Sequence, residues 1–148
     1  MAVTTSIYNV AKYDFLTKAV SWTADDIHCA LFSASTYGAT DTAYDTEGTE
    51  VVNANGYLTG GLDVSTKTAT GTTTVLCKIT GAAGGGAAGT TTWTTTGAGF
   101  SALAAKLYSI DNANRPIAHI DFGETLTASG GGTFTITWDA TNGVFKLS

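Results

Sequence analysis

The sequence predicts a mainly β fold, an antiparallel β-sandwich or jelly-roll-like single domain with one short N-terminal α-helix, and three observations carry that prediction. Threonine is in conspicuous excess beside 18 glycines; Thr is β-branched and suits a pleated, half-exposed surface, whereas Thr and Gly together make poor helices. Runs of strand length recur along the chain, several of them alternating apolar and polar residues. Almost all of these runs are joined by turns and not by helices, the pattern of antiparallel sheets. The 148 residues form one domain, 1–148, long enough to bury about 70% of the surface that the unfolded chain exposes.

The helix comes first, over about 6–19. In "SIYNVAKYDFLTKAVSW", Tyr8, Ala11, Phe15 and Ala19 recur at spacings of three and four, Lys12, Asp14 and Lys18 lie off that stripe, and Ser6 is placed as N-cap. The β-sandwich is expected over about 26–148. "TADD" is turn chemistry, and "IHCALFSAS" is a nearly continuous apolar run, so this strand is covered on both faces. Residues 36–61 show no sustained period and are rich in Gly, Asn, Asp and Thr, which predicts a long excursion with a short strand near Val51 and Val52.

Beyond residue 62, "LDVSTKTAT" and "TTTVLCKIT" alternate, "GAAGGGAAG" (81–89) separates them from "TTTWTTT", and "FSALAAKLYSID" turns at "NANRP" into "IAHIDFGE". In "GGGTFTITWD", Phe134, Ile136 and Trp138 face one way and Thr133, Thr135 and Thr137 the other. "DATNG" is then expected to close a hairpin with "VFKLS". The Gly/Ala segment 81–89 is read as an exposed flexible tip in preference to a place where backbones meet closely.

Charge and composition exclude several partners. Net charge is −5 and the seven Lys and Arg are spread along the chain, which argues against nucleic acid, whose phosphates need clustered cations. No apolar run reaches the roughly 18 residues that would span a bilayer, so no membrane partner is expected. The start "MAVTTSIYNVAKYDF" lacks the basic and apolar regions of a secretory signal, which implies synthesis in a cytoplasm without export by that route. Cys29 and Cys77 lie far apart within apolar runs and read as buried free thiols.

The search for chemistry centres on "AHIDFGE". In a strand, His119 and Asp121 share a face, as two metal ligands often do. A catalytic metal site needs a third ligand, and the other histidine, His28, sits in an apolar strand. The Gly-rich segment is followed by threonines in extended context, not by a helix N-terminus, so it is no phosphate loop. Asp41, Asp45, Glu47 and Glu50 lack the spacing of a helix-loop-helix calcium loop and read as a solvated acidic loop. No Gly-x-Ser-x-Gly turn is present, and nothing selects a carboxylate pair for glycoside chemistry. No catalytic, cofactor-binding or metal residue is assigned; the chain is read as a non-enzyme without cofactor, and His119 with Asp121 as polar residues of a sheet face or oligomer interface.

The order of segments resembles a group of small tailed-bacteriophage virion proteins. The resemblance spans the chain: a helix like "IYNVAKYDFLTKAVSW", a turn and strand like "TADDIHCALFSAS", a central "GYLTGG", and a closing pattern like "AKLYSIDNANRPIAHIDFGETLTASGGGTFTITWDATNGVFKLS". "GAAGGGAAG" departs from it in being richer in Gly and Ala. The resemblance implies a virion structural protein of the capsid decoration (cement) type, assembled in the host cytoplasm. It further implies a homotrimer bound to the major capsid protein on the capsid exterior. The alternative it leaves is a tail, collar or fibre component for attachment or host recognition, with Tyr37, Tyr44 and Tyr57 as exposed sugar platforms. "MAVTTS" or residues 36–61 are expected to make the contacts.

Overall fold

The structure is a computed structural model and describes residues 3–147. It is mainly β with one helix, in the order β1 (Thr4–Ile7), α1 (Asn9–Thr17), β2 (Ile27–Ser35), β3 (Gly48–Glu50), β4 (Leu62–Asp63), β5 (Lys67–Thr70), β6 (Val75–Ile79), β7 (Ala82–Ala83), β8 (Thr90–Thr94), β9 (Phe100–Ser109), β10 (Arg115–Ala128), β11 (Thr133–Thr137) and β12 (Phe145–Leu147). One large sheet runs β1-β10-β9-β2-β3 with β4 also on β2; two small sheets run β11-β8-β7 and β12-β6-β5. Every pairing is antiparallel except β7 with β8.

A single apolar cluster joins these parts. Ile27, Cys29 and Leu31 of β2 and Leu107 of β9 meet Ala11 of α1, Ile79 and Phe145 of one small sheet, and Trp93 and Phe134 of the other. Burying one such side chain contributes roughly 1.5–3 kcal/mol, so this shared face dominates the fold. Two of the three core tryptophans pair their N–H: Trp22 Nε1 donates to the Thr68 carbonyl at 3.0 Å and Trp138 Nε1 to Thr91 Oγ1 at 2.9 Å, whereas Trp93 Nε1 is buried without a partner among the described residues. The alternation of β2 then leaves His28, Ala30 and Phe32 on the opposite face, where Ala30 and Phe32 form a second cluster with Ala104 and Tyr108.

Five sequence expectations are corrected. The β-structure begins before residue 26: Thr4–Ile7 forms β1, which pairs with β10; Met1 and Ala2 lie outside the described residues. Ser6 therefore sits in a strand, α1 starts at Asn9, and its N-cap is Tyr8, without a side-chain cap bond. Asp14 is buried and not solvated, because Arg115 Nη1 reaches its carboxylate at 3.3 Å and compensates its desolvation. β11 and β12 do not form a hairpin. Asp139 Oδ1 accepts from the N–H groups of Thr141 and Asn142 and turns the chain between sheets, so that Trp138 N–H donates to Gly89 and Val144 N–H to Cys77.

The fifth correction concerns 81–89. Ala82 and Ala83 pair in parallel with Thr90 and Thr91, and Gly84, at φ +66°, lies so near the Thr92 carbonyl that a Cβ there would collide with it. Glycine permits both the left-handed backbone and the close approach. The segment is thus a place where backbones meet, with open space only around Gly85 and Gly89.

Candidate functional site

His119 and Asp121 do share a face, and register explains their neighbours. One row across the large sheet reads Ser6, His119, Lys106, Ala30; the next reads Thr4, Asp121, Ala104, Phe32. Residues 36–47 lie across these rows as a strap. Lys106, with 0% exposure, donates from Nζ to the carbonyls of Thr46 and Glu47 and stands 4.7 Å from the Phe32 ring centroid. His119 Nε2 and Ser35 Oγ are 3.1 Å apart. Tyr37 Oη donates to the Ile7 carbonyl at 2.7 Å, and Asn9 N–H to the Ala39 carbonyl, fixing the strap to the strand and helix beneath.

Burial and neighbouring charge set the electrostatics of this cluster. Burial and the Lys106 ammonium push His119 below its ordinary pKa, against a weaker upward pull from Asp121 and Asp41. Burial likewise lowers Lys106, opposed by Asp41, Asp45 and Glu47. The acidic excursion is therefore counter-charge for a buried lysine as well as a solvated loop. Ser35, at the end of β2 beyond a register shift between Phe32 and Ala34, donates to the Glu47 carbonyl at 3.3 Å; Asp121 Oδ1 accepts from Gly123 N–H at 2.7 Å. A nucleophilic triad needs that carboxylate on the imidazole. Among the described residues no group of three or more His, Cys, Asp or Glu side chains could hold a metal ion. His28 lies 3.5 Å from Asp26, at the opposite end of the sheet face.

Glu50 is the other polar hub. It accepts from Tyr57 Oη and Gly60 N–H, each at 2.6 Å, and from Tyr44 Oη at 3.2 Å. Tyr57 is buried and donated to by Leu31 N–H, and Tyr44 stacks on Tyr108 with centroids 3.9 Å apart. Burial and Glu50 raise Tyr44 to about 12. Of the three tyrosines proposed as sugar platforms, only Tyr37 keeps substantial exposure, and its hydroxyl is engaged. Both cysteines are buried free thiols, Cys77 raised to about 11 by burial.

The side of the molecule formed by β1, α1, β11 and β12 differs. Two shallow grooves meet there at Thr5. The first, of about 440 Å³, runs between β1, β10 and β11, past Val3, Phe122, Leu126 and Ile136. The second is lined by Ile7, Phe15, Leu16 and Leu147 together with Lys12 and Lys146. Leu16 is 86% exposed, Val3 62% and Leu126 40%. Lys12 and Lys146 form no salt bridge among the described residues. Sequence reasoning passed over these positions because Leu16 and Leu126 look like ordinary apolar residues of amphipathic elements. It also passed over Lys106 and Glu50, although a lysine inside the apolar run "ALAAKLY" was a signal that it must be buried with partners.

No protein-family model, curated protein or solved structure matches this chain.

Proposed function

We propose that this protein is a virion structural protein that binds the outside of a bacteriophage head and stabilises the shell, without catalysis of its own. The observation that carries the reading is the groove at the helix end, where a strongly exposed Leu16 shares the lining with Lys12 and Lys146 on a chain of net charge −5. An apolar spot with local positive charge is a contact surface for an acidic-apolar patch, here assigned to the major capsid protein. The polar candidates add support of another kind, since His119, Lys106 and Glu50 are occupied with holding the strap.

A modest contact of this size gains strength by repetition over a lattice. It stabilises the assembled shell by mass action because it binds that state and not the free subunits. The test is antibody labelling of intact particles of the phage that encodes the chain, viewed by electron microscopy. Label over the head is the expected result; label confined to tail or neck gives the attachment reading in its place, and unlabelled particles remove the virion reading altogether.

A further inference from the structure

We infer that β11 is a self-pairing edge, through which two copies of this chain join antiparallel about a two-fold axis at Thr135. The inference concerns the sheet edge alone and goes beyond the virion reading. It gives a two-fold pair where the resemblance implies a three-fold one.

β11 is the terminal strand of its sheet, with β8 on one side and, among the described residues, no strand on the other. A free edge presents backbone N–H and C=O groups that template another strand, and proteins guard such edges with charge, proline, bulges or a covering segment. β11 has none of the sequence guards: no residue between Glu124 and Asp139 is charged and none is proline. Its pairing with β8 runs in unbroken register from Thr133 with Thr94 to Thr137 with Thr90. Beside the edge lies the groove of Val3, Phe122 and Leu126, open and apolar.

The occupant is specified by what the other side already holds. β8 meets β11 with threonines on one face, Thr92 Oγ1 and Thr135 Oγ1 lying 3.1 Å apart, and places Trp93 opposite Phe134 on the other. A strand that continues this sheet needs threonine at alternate positions and large apolar residues between them. Thr133-Phe134-Thr135-Ile136-Thr137 is such a strand. Paired with itself about Thr135, it sets Thr133 opposite Thr137 of the second copy and Phe134 opposite Ile136, making Thr–Thr and aromatic–aliphatic cross-strand pairs. Two chains of charge −5 repel over most of their surface, and this uncharged stretch lets them approach without apposing like charges.

An isologous contact places each residue of the axis against its own copy, and that makes it testable by charge. Purified protein is examined by sedimentation equilibrium, with far-ultraviolet circular dichroism as the check on folding. Wild type is expected to be dimeric at tens of micromolar. Thr135→Lys and Thr135→Asp, each at an exposed position, are each expected to be monomeric, and an equimolar mixture is expected to give the Lys/Asp heterodimer. If those variants misfold, Thr133→Lys/Thr137→Asp is expected to dimerise with itself and Thr133→Lys/Thr137→Lys to stay monomeric. A monomeric wild type, an oligomer that survives Thr135→Lys, or charge variants that do not recombine in the mixture would each overturn the proposal.

Discussion

Two sides of the large sheet handle surface in opposite ways. On the strap side the sheet carries His119, Lys106 and Ser35 beside the apolar cluster of Ala30, Phe32 and Ala104, and residues 36–61 cover it with carbonyls, carboxylates and tyrosines. On the side of β1, α1 and β11, exposed Leu16 and Val3 stand with Lys12, Lys146 and the threonines of β11, and among the described residues no strand covers the β11 edge. A buried polar group is costly until it is paired, and on the strap side most such groups are paired, with Asp41 Oδ2 and Tyr8 Oη left without partners among the described residues. Exposed apolar side chains beside a free edge are unfinished by the same accounting, and a partner finishes them.

The largest effect that should separate the two sides is at Glu50. Glu50→Ala strips the acceptor from Tyr57, Gly60 and Tyr44 together, and the expected loss is about 3 kcal/mol in urea unfolding, since bonds to a charged group are worth about 1.5–3 kcal/mol each and part of the loss relaxes into water. A loss under about 1 kcal/mol would mean that the strap is held elsewhere. Next comes Gly84→Ala. A left-handed φ and a collision with Thr92 are expected to cost about 2 kcal/mol, whereas Gly85→Ala, at φ +83° with nothing within 4 Å, should cost only about 1 kcal/mol from its backbone conformation. Equal effects at the two positions would return 81–89 to the status of an open loop.

Acid is expected to weaken the strap side selectively. His119 in the folded chain takes a proton less readily than the ordinary histidine at 6.5, so below that pH the unfolded chain binds the proton first. Stability contributed by the neutral imidazole is therefore present above pH 6.5 and falls as the pH drops toward the lowered folded value. The groups facing it are Lys106 of β9, Asp121 of β10, and Asp41 of the strap. Measured as unfolding midpoints from pH 8 to pH 4.5, the decline should be shallower in His119→Gln. The smallest effect belongs to the open side: Leu16→Ser should change stability by no more than about 0.5 kcal/mol, because this side chain is already solvated.

What the sequence made legible follows the same division. The period-2 pattern of Phe134, Ile136 and Trp138, the continuous apolar run of β2, and the turn at "NANRP" are local signals, and each lies in the structure as read. That His119 and Asp121 share a face was also local, a consequence of strand alternation. Long-range pairing was not. Nothing near Phe145 indicates that β12 joins β6 and not β11, and nothing near Asp14 shows that Arg115 arrives from the far end of the chain. Ser6 carried a good capping side chain, yet pairing with β10 claimed it for a strand, a case of tertiary contact overriding local preference. The glycines of 81–89 misled for a related reason: composition cannot distinguish a glycine that must fit under Thr92 from one at an open tip.

The central claim is that the open side, and not the polar cluster, engages the virion. The most direct measurement adds purified protein back to particles of the encoding phage prepared without it, and counts bound copies by cosedimentation. Wild type and His119→Gln should bind equally at pH 7.5, while Leu16→Asp should lose nearly all binding and remain folded. Undiminished binding of Leu16→Asp, with loss in His119→Gln, would contradict the account and move the functional surface to the strap.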